Sequence, residues 1–283
     1  MAMKPIVVIY HAQCSDGFGG AWAAWKKFGN KADYIPVYYH NPPPKELKNK
    51  EVYMIDFTYN APVIKKLMKE NKRVTSIDHH ESQEGATKIT EKYLYSVNNS
   101  GSVLAWKYFH PGVRVPKLLS HIEDGDLWRF KISHTKEVYA ALSIKNKDFK
   151  TWDVLARDME NPAKRKKIIA DGSLLLRGEE ALVKYIAKNR EVVELAGYRA
   201  LAVNSPVFSS ELGHLLDKDA PLAIIWSQRN SRVKVSLRSR GRVDVSKVAK
   251  KFEDGGGHRN AAGFSFRASD PLPWKLIVKN KAK

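Results

Sequence analysis

Four short stretches of this 283-residue chain carry side chains that bind divalent cations, and each lies where a predicted strand or helix ends. His11, Cys14 and Asp16 follow the apolar run Ile6–Tyr10. Asp56 follows Val52–Ile55. Asp78, His79 and His80 follow Val74–Ile77, and Asp124 and Asp126 close a helical stretch around Gly125. Taken singly, each has a plain structural use. An Asp after a strand caps the next helix, and an Asp beside Gly makes a turn. Delivered together to one edge of a sheet, they make a site, because ligands of open α/β sheets bind at the carboxyl ends of the strands. Carboxylates packed closely repel one another, and a divalent cation relieves the repulsion. Mixed carboxylate and imidazole donors suit Mn²⁺, Fe²⁺, Co²⁺ or Zn²⁺ better than Mg²⁺ alone. A set this large can hold two ions with a carboxylate between them.

The elements that must position these residues are legible as alternating patterns. Ile6–Tyr10, Val52–Ile55 and Val74–Ile77 read as buried strands, and Gly17–Phe28 and Ala61–Glu70 as helices. Such alternation predicts an α/β fold with a parallel sheet and helices on both faces. From Ser102 to about Arg190 the pattern is mainly helical, and Gly172–Asn189 is expected to be a long connecting helix. Strand-like runs return at Ala200–Val203, Leu222–Trp226 and Val233–Leu237. The expected organisation is a catalytic metal-binding domain at 1–172, a helical connector at 173–194 and a smaller α/β substrate-binding domain at 195–283.

Composition narrows the partners. Lys and Arg total 49 against 30 Asp and Glu, a formal charge of +19. Such a surplus steers and holds polyanions. The single cysteine, Cys14, excludes an intrachain disulfide, and Ile6–Tyr10 is too short for a membrane span. A cytoplasmic location and no membrane partner are expected.

In the C-terminal part, Gly255-Gly256-Gly257 can turn sharply and bring backbone N–H groups close to an anion. His258 and Arg259 then offer side-chain donors, Arg259 bidentately, and Asn260 can hydrogen-bond a base or sugar. Upstream, Arg238 and Ser236 lie two apart on a predicted strand and therefore share a face.

Asp78-His79-His80, with the upstream His11 and Asp16-Gly17, the intervening Asp56 and the downstream Gly255–Gly263 stretch, resembles the DHH family of phosphoesterases with its DHH-associated C-terminal domain. The resemblance covers nearly the whole chain and looks closest to the short oligoribonuclease branch. It implies two bound metal ions, Mn²⁺ first, with Co²⁺, Fe²⁺ or Zn²⁺ as alternatives. His11 and Asp56 would hold one ion; Asp16, Asp56, His79 and Asp124 would hold the other, with Asp126 a rival to Asp124. Asp78 would orient the histidines and His80 would face the substrate phosphate, so that Asp56, Asp78 and His80 are the expected catalytic set. Most of the family has an Asp where this chain has Cys14, so either the thiolate ligates or the first metal has one protein ligand fewer. Arg238, Ser236, Gly256, Gly257, His258, Arg259 and Asn260 would bind substrate. The implied reaction is hydroxide attack on phosphodiesters of short single-stranded RNA or DNA, giving nucleoside 5′-monophosphates. The alternative is hydrolysis of small nucleotides, including linear or cyclic dinucleotides.

Overall fold

A computed structural model describes residues 3–12, 14–38 and 41–278. The chain forms two compact units, Met1–Leu176 and Arg177–Lys283.

The first unit contains β1 (Ile6–His11), α1 (Ser15–Phe28), β2 (Ala32–Val37), β3 (Glu51–Ile55), α2 (Ala61–Glu70), β4 (Arg73–Asp78), α3 (Glu84–Thr87), β5 (Lys92–Tyr95), α4 (Gly101–Phe109), α5 (Lys117–Asp126), α6 (Thr135–Ser143) and α7 (Phe149–Glu160). Its five strands run parallel in the order β2-β1-β3-β4-β5. Successive side chains of a strand face opposite ways, and here both faces are covered. Val7, Ile9, Val52 and Met54 pack with Ile64 and Leu67 of α2. Val8, Tyr10, Tyr53 and Ile55 pack with Trp22, Leu104, Leu119 and Trp152 from the helices of the other layer. That double burial is why the central strands are unbroken apolar runs. Because β2 and β3 flank β1 on opposite sides, the chain reverses direction across the sheet between β1 and β3. Such a reversal opens a crevice at the carboxyl ends of the two strands.

The boundary between the units falls within α8 (Pro162–Ala187), one helix of 26 residues. It begins ten residues before the expected Gly172, because Asn161 Oδ1 accepts the Lys164 N–H at 3.1 Å and Pro162 occupies the first helical position.

The second unit adds β6 (Glu191–Leu195), β7 (Tyr198–Asn204), α9 (Ser209–Leu216), β8 (Leu222–Arg229), β9 (Arg232–Arg238), α10 (Val245–Ala249), β10 (Gly256–His258), β11 (Ala261–Arg267) and β12 (Lys275–Val278). Its mixed sheet has the order β10-β11-β9-β8-β7-β6-β12, with β7 and β8 parallel. One face packs Val235, Leu237 and Phe264 against Val245 and Val248 of α10. On the other face Ala223 and Ile225 pack under Leu212 and Leu216 of α9. Among the described residues, no helix is long and apolar enough to cross a membrane.

Candidate metal centre

The carboxyl edge of the parallel sheet gathers the acids and imidazoles. His11 is the last residue of β1, Asp56 follows β3, and Asp78 ends β4 just before His79 and His80. Asp56 adopts a left-handed backbone, φ 61°, and its N–H bonds to the Ile77 carbonyl at 2.9 Å. Asp and Asn tolerate that region better than most residues, and the bend leaves the carboxylate almost wholly buried. Asp16 lies in the first turn of α1 and is also buried. Its two oxygens accept the N–H groups of Gly101 (2.6 Å) and Ser102 (3.0 Å). These are the first free donors of α4, and a helix N-terminus favours the anion electrostatically.

Asp56 faces two ways. Oδ2 lies 3.4 Å from His11 Nδ1 and 3.3 Å from Cys14 Sγ, whereas Oδ1 lies 3.2 Å from His79 Nε2. His79 Nε2 is in turn 3.9 Å from Asp16 Oδ2 and 3.6 Å from Asp126 Oδ2. Three sets of potential ligand atoms result, each within 4.8 Å of one another: His11 with Cys14 and Asp56; Asp56 with His79 and His80; and Asp16 with His79 and Asp126. Donors bonded to one ion at about 2.1 Å stand roughly 3.0–3.5 Å apart, so the three spacings around Asp56 fit groups that share a cation, and the two from His79 to Asp126 and Asp16 are slightly longer, at 3.6 and 3.9 Å. Asp56 belongs to two of the sets with a different oxygen facing each, the arrangement of a bridging carboxylate.

Electrostatics agree. Burial, then the Asp56 charge, pushes the Asp16 carboxyl up to about 7. Burial, then Asp16 and Asp56, also raises Asp126. Burial works against ionisation of Asp56 too, but hydrogen bonds from His11 and His79 outweigh it and hold this carboxyl well below the usual range. Burial disfavours charge on His79, yet its bond to Asp56 and the surrounding carboxylates carry it up to about 9. Without metal, protons on Asp16, Asp126 and His79 balance the crowded charge, and a divalent cation would take their place.

Asp78 stands behind this set. Its Oδ1 accepts the backbone N–H of His79 at 2.7 Å and of His80 at 3.1 Å, and pairs with His80 Nδ1 at 2.8 Å. Its Oδ2 accepts the Thr58 hydroxyl at 2.8 Å, which also meets Ser76 Oγ at 2.6 Å and Thr87 Oγ1 at 2.9 Å. Such partners fix ring orientation and tautomer. Thr58 is a positioning residue that sequence reasoning did not single out; a lone Thr two residues beyond Asp56 carries no visible signal.

The expected ligand Asp124 lies elsewhere. One carboxylate oxygen accepts the Lys131 N–H at 2.8 Å; the other accepts Ile132 N–H at 2.9 Å and the Thr135 hydroxyl at 2.7 Å. Asp126 takes the place beside His79 and Asp16. Residues two apart on a helix point roughly 200° apart, so only one of the pair can face the cluster. Cys14 caps α1, accepting the Gly17 N–H at 3.2 Å, and burial followed by the Asp56 and Asp16 charges pushes its thiol far up. It is close enough to ligate, and in the absence of metal it donates to Asp56.

In the second unit the expected substrate residues divide by sheet register. His258 pairs Ala261, which pairs Arg238; Gly256 pairs Gly263, which pairs Ser236. Directly paired residues share a face, so Gly256, His258, Ser236 and Arg238 form one surface with Ala261 and Gly263. Gly257 points to the opposite, core side. Arg259 and Asn260 form the two-residue turn between β10 and β11, exposed, with their carbonyls accepting Val245 N–H (2.9 Å) and Ser239 N–H (3.1 Å). Arg238 is half-buried and spends two donors on Leu237 O (2.9 Å) and Ser210 Oγ (3.2 Å), leaving further guanidinium N–H groups.

Comparison with known proteins agrees with both halves. The DHHA1 domain matches residues 200–273. Uncharacterized protein R106 of Acanthamoeba polyphaga mimivirus is 31% identical over 92% of this chain and 67% of its own length. Among solved structures, the DHH domain of a protein described as belonging to a family of ribosomal proteins superposes with TM-score 0.61 at 13% identity, over 96% of this chain and 83% of that one. A pGpG-specific phosphodiesterase from Vibrio cholerae aligns over 95% and 94% with TM-score 0.49 and 11% identity. With Asp78-His79-His80 closing β4 among clustered acids and a DHHA1 domain downstream, the chain belongs to the DHH/DHHA1 phosphoesterase family.

Proposed function

We propose that the chain is a phosphodiesterase acting on short single-stranded RNA or DNA and releasing nucleoside 5′-monophosphates. The observation that carries the reading is the buried Asp56, whose two oxygens face separate groups of ligand atoms on one sheet edge. Two divalent cations, Mn²⁺ or alternatively Co²⁺, Fe²⁺ or Zn²⁺, would be held by His11, Asp16, Asp56, His79 and Asp126, with Cys14 beside the first, and would supply charge neutralisation and an acidified water. The residues themselves do the rest. Gly101 and Ser102 fix Asp16, and Asp78 fixes the His80 imidazole and the backbone of His79, so little reorganisation is needed at reaction. Burial disfavours protonation of His80, but its bond to Asp78 raises its pKa, which favours a protonated ring to meet charge on a phosphate oxygen or the departing ribose oxygen. In the second unit, the surface of Arg238, Ser236, His258 and Gly256 supports a role in binding a phosphate or sugar, with Arg259 and Asn260 at its rim. The net charge of +19 favours such a polyanionic partner.

The test is time-resolved product analysis on end-labelled RNA and DNA of graded lengths from the dinucleotide upward, with Mn²⁺, beside Asp56→Asn. Release of 5′-mononucleotides, abolished in the variant, is the expected result. Turnover confined to phosphomonoesters or cyclic dinucleotides would move the reading to small nucleotides, and no turnover with any of the four metals would end it.

A further inference from the structure

The loop that follows Asp126 is built around a residue whose burial the fold gives up. Of the seven tryptophans, six are buried or half-buried; Trp128 is 49% exposed. An indole is the largest apolar payload a chain can bury, and leaving one half in water forgoes much of that gain. The loop also carries backbone strain. Trp128, Phe130 and His134 all have left-handed backbones, with φ of 53°, 48° and 68°. Conformations of this kind persist when the surroundings impose them, and they cluster at ligand sites.

Asp124 imposes them. Its carbonyl accepts the N–H groups of Arg129 (2.8 Å) and Phe130 (3.1 Å), and its carboxylate takes Lys131 N–H, Ile132 N–H and the Thr135 hydroxyl. The rings of Trp128 and Phe130 then meet edge to face at 4.9 Å, and Lys136 Nζ sits 5.3 Å from the Phe130 ring centre. Arg129 ties the loop to the segment before α4, donating to Asn98 O at 2.9 Å, and Glu123 accepts Ser100 N–H there at 2.9 Å. Gly101 and Ser102, which grip Asp16, come next in that segment. The loop is thus anchored to the metal centre from two sides, through Asp126 and through the start of α4. Trp128 is two residues beyond Asp126, at most about 7 Å along the chain, a reach comparable to that from a nucleotide's phosphate to its base.

We propose that this loop is a nucleobase subsite, in which the exposed Trp128 indole stacks on the base next to the phosphate held at the metal centre. It rests on the phosphodiesterase reading for the identity of the anion. A heteroaromatic base is the ligand class that fits, since it offers a flat face to the indole while Arg129, Lys131 and Lys136 favour the attached phosphates.

The experiment uses the full chain with Mn²⁺ and two probes. One is a dinucleotide analogue with a methylene in place of the scissile bridging oxygen; the other is the same analogue lacking the base on one residue. Binding is measured calorimetrically for the wild type, Trp128→Ala and Trp128→Phe. Loss of one stacking contact predicts that Trp128→Ala binds the complete analogue about 5- to 150-fold more weakly. An analogue lacking the stacked base should bind both proteins equally, and Trp128→Phe should keep most of the affinity. Equal loss on every analogue, no loss on the complete one, or a wild type that binds none of them overturns the proposal. A wild type that binds the analogue yet cleaves no dinucleotide with any metal would sink the phosphodiesterase reading alone, because the stacking result is read from binding.

Discussion

Gly101 lies against Asp56 so closely that a Cβ at position 101 would stand 2.7 Å from the Asp56 Cβ and 2.9 Å from its Oδ1. The Gly101 N–H also holds Asp16. One glycine therefore sets the separation between two carboxylates of the proposed metal centre. Gly101→Ala should destabilise the chain by about 1–3 kcal/mol, as forced overpacking does. Displacing Asp56 by even a fraction of an ångström should lower metal-dependent turnover by at least about tenfold. Thermal unfolding and initial rates on a dinucleotide check both; wild-type behaviour in each would show that the contact is loose.

Asp126 and Asp124 should separate cleanly in mutagenesis. Asp126→Asn removes a proposed ligand, and turnover should fall more than the roughly 10- to 100-fold typical of residues behind a metal's ligands. Its melting temperature without metal should hold or rise, because one of three mutually repelling carboxylates is gone. Asp124→Ala should cost about 2–4 kcal/mol, since it strips the acceptor from two backbone N–H groups and a buried hydroxyl. If Asp124→Ala were stable and inactive while Asp126→Asn kept full turnover, Asp124 and not Asp126 would be the ligand.

That reversal marks the limit of what the chain's letters disclose. β1, β3 and β4 are legible because they are central and buried on both faces, and the acids at their ends follow from the parallel arrangement. β2 and β5 are not legible in the same way. They are the edge strands, one containing Pro36 and the other reading Lys92-Tyr93-Leu94-Tyr95 with an exposed start, so neither shows an apolar run. Which of Asp124 and Asp126 faces the cluster depends on the rotation of α5, and that rotation is set by its packing against neighbouring helices. The role of Asp124 as anchor of the loop depends on backbone N–H groups, which any sequence possesses.

The protonation pattern predicts how metal binding shifts stability with pH. Asp16 is raised from 3.8 to about 7, so its favourable contribution is complete below about 4 and is lost as pH rises through about 7. His79 is raised from 6.5 to about 9, so its contribution is complete below 6.5 and is lost as pH rises through about 9. Asp56 runs the other way, but its change lies in acid below its ordinary range. The metal-free protein should therefore weaken from mildly acid to alkaline solution, while the cation, which replaces these protons, binds more tightly. The gap in melting temperature between Mn²⁺ and EDTA should be wider near pH 8.5 than near pH 6, each kcal/mol appearing as about 2–4 °C in a chain of this size. A constant or narrowing gap would mean that these groups do not meet the metal.

In the second unit, adjacent glycines should behave differently. Gly257 has φ 132°, and a Cβ there would stand 2.5 Å from the Ala262 Cα. It faces the core side of the sheet, so Gly257→Ala must move backbone and should cost about 2 kcal/mol or more. Gly256 lies on the other face, in the row with Gly263 and Ser236, and a Cβ there would meet nothing within 4 Å. Its own fold gives it no reason to lack a side chain, so Gly256→Ala should leave stability within about 0.5 kcal/mol of wild type. If that surface receives a nucleotide, the added methyl falls where the ligand would approach, and KM for a dinucleotide should rise with kcat little changed. Urea unfolding measures the first quantity and steady-state kinetics the second. A Gly256→Ala protein of normal stability and normal KM would show that the β10–β11 face is not where the substrate rests.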